Sequence, residues 1–253
     1  MLTLSDYEFE QMNLKQKIKN IAEKKLTQFD NASANAFETL TKKNEDSKSG
    51  QIELCKKLSI PNEDDQGIIA PQKIEIFKEI MDLISEEYLS NEHLNALSEM
   101  TVVYLFKSVE ITMKTLINTA YPKINTDDFY RWDNMASYFE SINIKISYFN
   151  GYIEVLELKK VNNSIKHNNT INDKVKKIKE FKGKTQFTAK DIREFNERIK
   201  PKIQNFIKLL GRGIIKDLYV FDDSRIEIMS HDFKSRMTKD VLQKFATNLT
   251  NGH

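Results

Sequence analysis

The chain has 253 residues, 40% of them apolar and 30% charged, with a formal net charge of +2. That length suffices to bury a core, as one large domain or two small ones. A lone cysteine, Cys55, excludes a disulfide framework and a thiolate metal cluster. No window approaches the roughly 18 uninterrupted apolar residues that a membrane span requires.

Seven glycines and four prolines are few breakers for this length, and abundant Lys, Glu, Leu and Ile favour long helices. The expected fold class is all-α, and the N-terminus lacks the order of a signal peptide, so a reducing cytoplasm is the expected compartment. In that setting Cys55 reads as a small buried residue. The small net charge hides an asymmetry. Between Pro61 and Met100 ten carboxylates face only Lys73 and Lys78, whereas between Lys159 and Lys184 nine lysines face only Asp173 and Glu180. Each run fits a solvated helix face. The sharper alternative is a basic patch for nucleic acid and an acidic segment that meets a partner.

In chain order, Ser5 and Glu8 have the spacing of a capping box. Leu14, Ile18, Ile21, Ala22, Leu26, Phe29, Phe37 and Leu40 recur at three- and four-residue steps, predicting one long helix or two with a break near Asp30–Asn31. Thr41–Gly50 is polar and reads as a linker, and Ile52–Ile60 as a short helix. Pro61–Gly67 is an acidic loop without the alternation of a calcium site. Pro71 suits a first helical position, and Ile74, Phe77, Ile80, Met81, Ile84 and Tyr88 continue that helix. Asn91 opens a further, more apolar and therefore central helix ending at Tyr121-Pro122. Within it Glu110 and Lys114 stand one turn apart, the ordinary spacing of an ion pair. Thr126–Ser141 is a shorter helix with Trp132 as a core anchor.

Ser147 to His167 reads as a helix with Tyr148, Tyr152, Val155, Leu156, Val161 and Ile165 on its buried stripe. Gly151, one turn in, costs about 1 kcal/mol against Ala and suits a close neighbour. A lysine-rich helical continuation is expected over Ile171–Lys182. Thr188 and Asp191 then cap a helix through Ile192, Phe195, Ile199, Ile203, Phe206, Ile207, Leu210 and Ile214, with Pro201 as a kink. Gly211-Arg212-Gly213 lacks the strand and third glycine of a nucleotide loop. Tyr219–Phe221 and Arg225–Met229 read as a small hairpin, and Thr238–Leu249 as a last helix.

Chemistry concentrates at Lys159-Lys160-Val161-Asn162-Asn163-Ser164-Ile165-Lys166-His167. Residues four apart on a helix share a face, so Asn163 and His167 point the same way. An imidazole titrating near neutrality beside amides and ammonium groups suits an anionic ligand such as phosphate. Lys174, Lys176 and Lys177 extend the positive charge. None of His93, His231 and His253 has a recognisable metal-ligand spacing, so no metal is expected. A structural role is also open: Asn163 locking helices and His167 capping a helix C-terminus, where the dipole favours a cation.

Asn162-Asn163-Ser164-Ile165-Lys166-His167 resembles the closing motif of the HEPN superfamily, Arg-Asn-x-x-x-His. Asn163 and His167 fall on the family's asparagine and histidine; Asn162 stands where the arginine is usual, with Lys159 or Lys160 as the upstream basic residue. Phe181-Lys182-Gly183, the Thr188 cap and the Phe195…Phe206-Ile207 helix are similar to a bacterial branch of that superfamily. The resemblance covers roughly Asn91 to Leu210. It implies a HEPN-like helical bundle at 91–215, an N-terminal helical extension at 1–90 and a small C-terminal extension at 216–253. It also implies a homodimer with two such histidines facing one cleft, and no cofactor or metal.

Two functional readings follow from the resemblance. In the first, an RNA-directed protein of a bacterial defence or toxin–antitoxin system acts as a metal-independent endoribonuclease leaving a 2′,3′-cyclic phosphate. His167 is then general base or acid, Asn163 and Asn162 orient RNA, Lys159, Lys160, Lys166, Lys174, Lys176 and Lys177 hold phosphate, and Glu110 supports the site. The second is a non-catalytic interaction or dimerisation subunit with a protein partner.

Overall fold

The structure is a computed structural model that describes residues 6–26, 28–59, 71–125, 127, 129, 131–168 and 170–250. Among these residues it is all helical. In order come α1 (Asp6–Glu23), α2 (Gln28–Leu58), α3 (Pro71–Ala120), α4 (Trp132–Ser141), α5 (Tyr152–Asn168), α6 (Ala189–Tyr219), α7 (Asp223–Arg236) and α8 (Lys239–Thr250). Short 3-10 turns sit at Ile146–Tyr148 and Lys179–Phe181. No described helix is long and apolar enough to cross a membrane. Ser5 and the Pro61–Gly67 loop lie outside the described residues.

The core forms where the second half of α3 meets α1, α5 and α6. Val102, Leu105, Phe106, Val109, Met113, Leu116 and Ile117 recur at three- and four-residue steps on α3 and are buried. They meet Ile192, Phe195, Ile199, Ile203, Phe206, Ile207, Leu210 and Ile214 of α6 in one cluster, which Trp132 joins as expected. Each such side chain contributes about 1.5–3 kcal/mol relative to its exposed state. Burial along these stripes, rather than helix propensity, therefore holds the bundle together. Pro201 lies inside α6 on its exposed face and does not end it.

Several expected boundaries are right for the expected reasons. α3 starts at Pro71 and ends at Ala120, just before Tyr121-Pro122. Thr188 caps α6, its hydroxyl accepting from the Asp191 amide at 3.2 Å. The N-terminal stripe divides into two helices, but the break lies at Lys24–Leu26 rather than at Asp30–Asn31. Gln204 of α6 holds it there, accepting from the Leu26 amide at 3.3 Å and donating to the carbonyls of Ala22 and Lys24 at 3.2 Å. Gly211 lets α1 pass close to α6, since a Cβ there would lie 2.6 Å from that of Ala22.

Other expectations are corrected. Thr41–Gly50 is no linker: α2 runs through it, because Asn44 and Ser47 face α3 and are buried there. The Asn44 amide donates to Asn91 Oδ1 at 2.5 Å, so Asn91 is a pairing point inside an unbroken α3 rather than a restart. The division expected after residue 90 thus falls within α3, and that after 215 within α6. Instead of a hairpin, residues 223–236 form α7, capped by Asp222, which accepts from the Arg225 amide at 2.9 Å. Residues 126, 128 and 130 are outside the described set, and the helix expected from Thr126 begins at Trp132. Cys55 is exposed on α2, not buried.

Candidate functional site

α5 is set by what precedes it and by ion pairs along its flank. Gly151 is not inside the helix but just before it, at φ +100°, with the Lys202 carbonyl oxygen only 2.1 Å from where a Cβ would lie. Only glycine admits both that dihedral and that approach. Further along, Glu154 pairs with Lys202 at 2.7 Å, Glu157 with Arg198 at 2.9 Å, and Lys159 with Asp133 of α4 at 2.8 Å. Arg198 also grips Glu180 through two bonds, 2.7 and 2.9 Å, which holds that carboxyl below its usual range. Val155, Leu158 and Val161 carry the buried face; Tyr148, expected there, is exposed.

The last turns of α5 separate the motif residues by face. Asn163 and His167 are exposed, with Lys160 one turn before Asn163 and Lys166 beside the histidine. Asn162 is 1% exposed and cannot meet a ligand directly; its amide donates to Asn163 Oδ1 at 3.3 Å, so it orients its neighbour. The Asn162 Oδ1 is buried without a partner. Ser164 is buried too. Its hydroxyl donates to the Thr170 carbonyl and accepts from Asn172 Nδ2 at 3.0 Å. Asn172 Oδ1 in turn accepts from the amides of Lys174 and Val175 at 3.0 and 3.1 Å.

Those bonds overturn the helical continuation expected over Ile171–Lys182. An asparagine that bonds the backbone two and three residues on favours a turn over a helix. Ile171, Val175, Ile178 and Phe181 are buried in the core through a chain of turns. Lys174, Lys176 and Lys177 are all exposed on that segment, and Lys176 pairs with Asp173 at 3.2 Å.

Glu110 of α3 is half-buried and its carboxyl lies above the usual range, because burial disfavours the charged form. Lys114, Lys166 and Lys159 partly offset that rise. Lys114 is the helical neighbour anticipated from spacing; the two α5 lysines are brought up by packing of α3 on α5. Glu110 thus lies within electrostatic range of Lys159 and Lys166 across the packing of α3 on α5, while Asn163 and His167 are exposed on α5. Lys159 has a carboxylate partner already, while Lys160 and Lys166 project into solvent.

Sequence reasoning passed over Ser164, Asn172, Asp133 and the Arg198 cluster. For Ser164 and Asn172 a local signal existed, since Ser and Asn near a helix end compete for backbone groups. Asp133 and Glu157 gave none, because their partners are 26 and 41 residues away.

A cleft of about 900 Å³ lies elsewhere, between α2, α3 and the start of α6, with Phe37, Asn44, Leu94, Thr101 and Asn196 among its walls and no residue of α5. Among the described residues no group of three or more His, Cys, Asp or Glu side chains is placed to hold a metal ion. No family model, no curated protein and no solved structure matches this chain at the significance required.

Proposed function

We propose that this chain is a HEPN-like RNA-directed protein of a bacterial defence or toxin system, with the C-terminal turn of α5 as its RNA-facing element. The observation that carries the reading is the split of the motif between two faces: Asn163 and His167 are exposed one turn apart, while Asn162 is buried behind them and donates to Asn163. Exposure leaves Asn163 and His167 accessible to a ligand, as the buried Asn162 is not. In the cleaving form His167 takes the proton of a 2′-hydroxyl, or gives one to the departing 5′-oxygen. Asn163 donates to the phosphate as charge develops, Lys160 and Lys166 supply positive potential, and the product ends in a 2′,3′-cyclic phosphate. A second copy of the chain would place another His167 opposite the first.

A second reading, a non-catalytic interaction subunit, is favoured by the carboxylates. Asp133 occupies Lys159, and Glu110 lies close enough to Lys159 and Lys166 to feel both charges. One experiment divides the two. Purified protein and a His167→Ala variant are incubated with end-labelled RNA in EDTA, and binding is followed across a salt series. Cleavage by the parent alone, ending in cyclic phosphate, is the expected result. Identical RNA profiles end the cleavage reading. A salt-independent binding signal removes RNA altogether, because phosphate contacts give a steep negative slope.

A further inference from the structure

The cleft that α5 does not touch is floored by α3 from Asn91 to Thr101, with α2 on one side and the start of α6 on the other. α2 runs antiparallel to that floor, where Asn44 faces Asn91. α6 runs along it, the Ala189 amide donating to Asn95 Oδ1 at 2.8 Å and Asn196 Nδ2 to Thr101 Oγ1 at 2.6 Å. The floor is about 15 Å long at 1.5 Å per residue. Ser33, Ser98 and Thr101 spend their hydroxyl protons on carbonyls of their own helices. Two carboxamides are not so well served. Asn44 and Asn196 are 7% and 5% exposed and each bonds through its Nδ2, but the Oδ1 of each has no hydrogen-bond partner among the described residues. Buried polar groups are normally bonded, and two half-bonded carboxamides on the walls of one cleft call for a ligand that completes them.

The side chains around them restrict that ligand. Phe37, Leu94 and Ile192 give the middle of the cleft an apolar lining. The two ends differ in charge. Where α6 begins, Lys42, Lys48 and Lys190 stand against Glu45, and Lys48 also reaches Glu87 at 3.6 Å. At the far end Lys200 pairs with Asp30 at 2.5 Å, which leaves Glu197 to set the sign. Glu38 and Arg193 lie between the two ends. A nucleic-acid strand would carry a phosphate at every step past Glu45, Glu38, Glu197 and Asp30, so it suits this cleft poorly. A molecule with an anion at one end, a cation at the other and amide groups between suits it well.

We infer that the cleft between α2, α3 and α6 binds a short extended peptide with both termini free. At roughly 3.3–3.6 Å per residue, about four residues span the floor. The peptide's carboxylate lies by Lys42 and Lys190, its ammonium by Glu197, and its middle side chains against Phe37, Leu94 and Ile192. A carboxamide offers donors and an acceptor in one plane, as a peptide group does, so Asn44 and Asn196 can each pair with a peptide unit whichever way the amide is turned. The cleft shares no residue with α5, so this site stands or falls independently of the RNA reading.

The test is equilibrium dialysis of the full chain against a tetrapeptide library randomised at its two middle positions, read by mass spectrometry. The library is offered with both ends free, with the N-terminus acetylated, or with the C-terminus amidated. The free form should be retained, and blocking either end should lower retention about tenfold or more. Glu197→Lys should weaken retention of the free form and make acetylation indifferent; Lys190→Glu should do the same for amidation. Both positions are exposed, so circular dichroism and melting should not change. Asn196→Leu, with its fold checked in the same way, should abolish retention. No retention of any form overturns the inference and leaves a water-filled cleft. Equal retention of free and blocked forms, or retention that neither surface substitution alters, overturns it as well. So does displacement of bound peptide by a short single-stranded RNA, which would make nucleic acid the occupant.

Discussion

The bundle of α1, α3, α5 and α6 and the hairpin of α2 with the first half of α3 are joined by helices of ordinary geometry, yet their interiors differ in kind. In the bundle the inward residues are aliphatic and aromatic almost throughout, with charged groups such as Arg198, Glu180 and Glu157 paired at its edge. The hairpin seam is polar along much of its length. Asn44 faces Asn91, Ser47 faces Glu86 at 3.4 Å, and Gln51 faces Glu87 at 2.9 Å. Polar contacts of this sort set register more than they add stability. The buried apolar cluster lies in the bundle, while the hairpin is aligned by polar pairs along its seam.

Two glycines measure that difference. Gly151→Ala should be the most damaging change, because a Cβ there meets the Lys202 carbonyl oxygen at 2.1 Å and the backbone sits at φ +100°. A loss of about 3 kcal/mol or more is expected from clash and dihedral strain together, read as a lower urea midpoint with α5 displaced. A change below about 1 kcal/mol would mean that α5 is free to shift from α6, and the contrast with the hairpin would lapse.

Next in size is Arg198→Met, which leaves Glu180, whose side chain is 6% exposed, without its cation. The cost should be about 3 kcal/mol near neutral pH. Arg198 holds the Glu180 carboxyl below its usual range. The pair's stabilisation is therefore complete above the unfolded carboxylate's titration and is lost as pH falls through the lower, folded value. Parent and variant should converge in stability as the solution is acidified, and a gap independent of pH would assign the loss to packing instead.

The smallest effect belongs to the arm. A Cβ on Gly50 would lie 2.9 Å from Leu83 Cδ1, the mobile end of a side chain rather than backbone. Gly50→Ala inside α2 should gain about 0.5–1 kcal/mol from helix propensity once Leu83 rotates. Thermal unfolding would register a modest rise. A loss as large as that for Gly151→Ala would show the arm to be packed as tightly as the bundle.

Much of this could be read before any coordinates. The 3–4 spacing of the α3 and α6 stripes, Pro71 at a helix start, the stop before Pro122, the Thr188 cap and the core position of Trp132 all follow from residues within a few positions of one another. So did the shared face of Asn163 and His167. Thr41–Gly50 looks like a linker because small polar residues weaken an isolated helix, and here a second helix supplies what they lack. Asn162 looked as available as Asn163, since adjacent residues in a sequence carry no label for inside and outside.

By itself, then, the order of amino acids determined the helical class, most helix ends and the pairing of an amide with an imidazole four residues later, all being matters of local geometry and periodic hydrophobicity. Tertiary packing alone decided that α2 and α3 run unbroken, and that Glu110 comes within electrostatic range of Lys159 and Lys166. Each of these depends on a partner distant along the chain, where the free energy of burial and hydrogen bonding outweighs local preference.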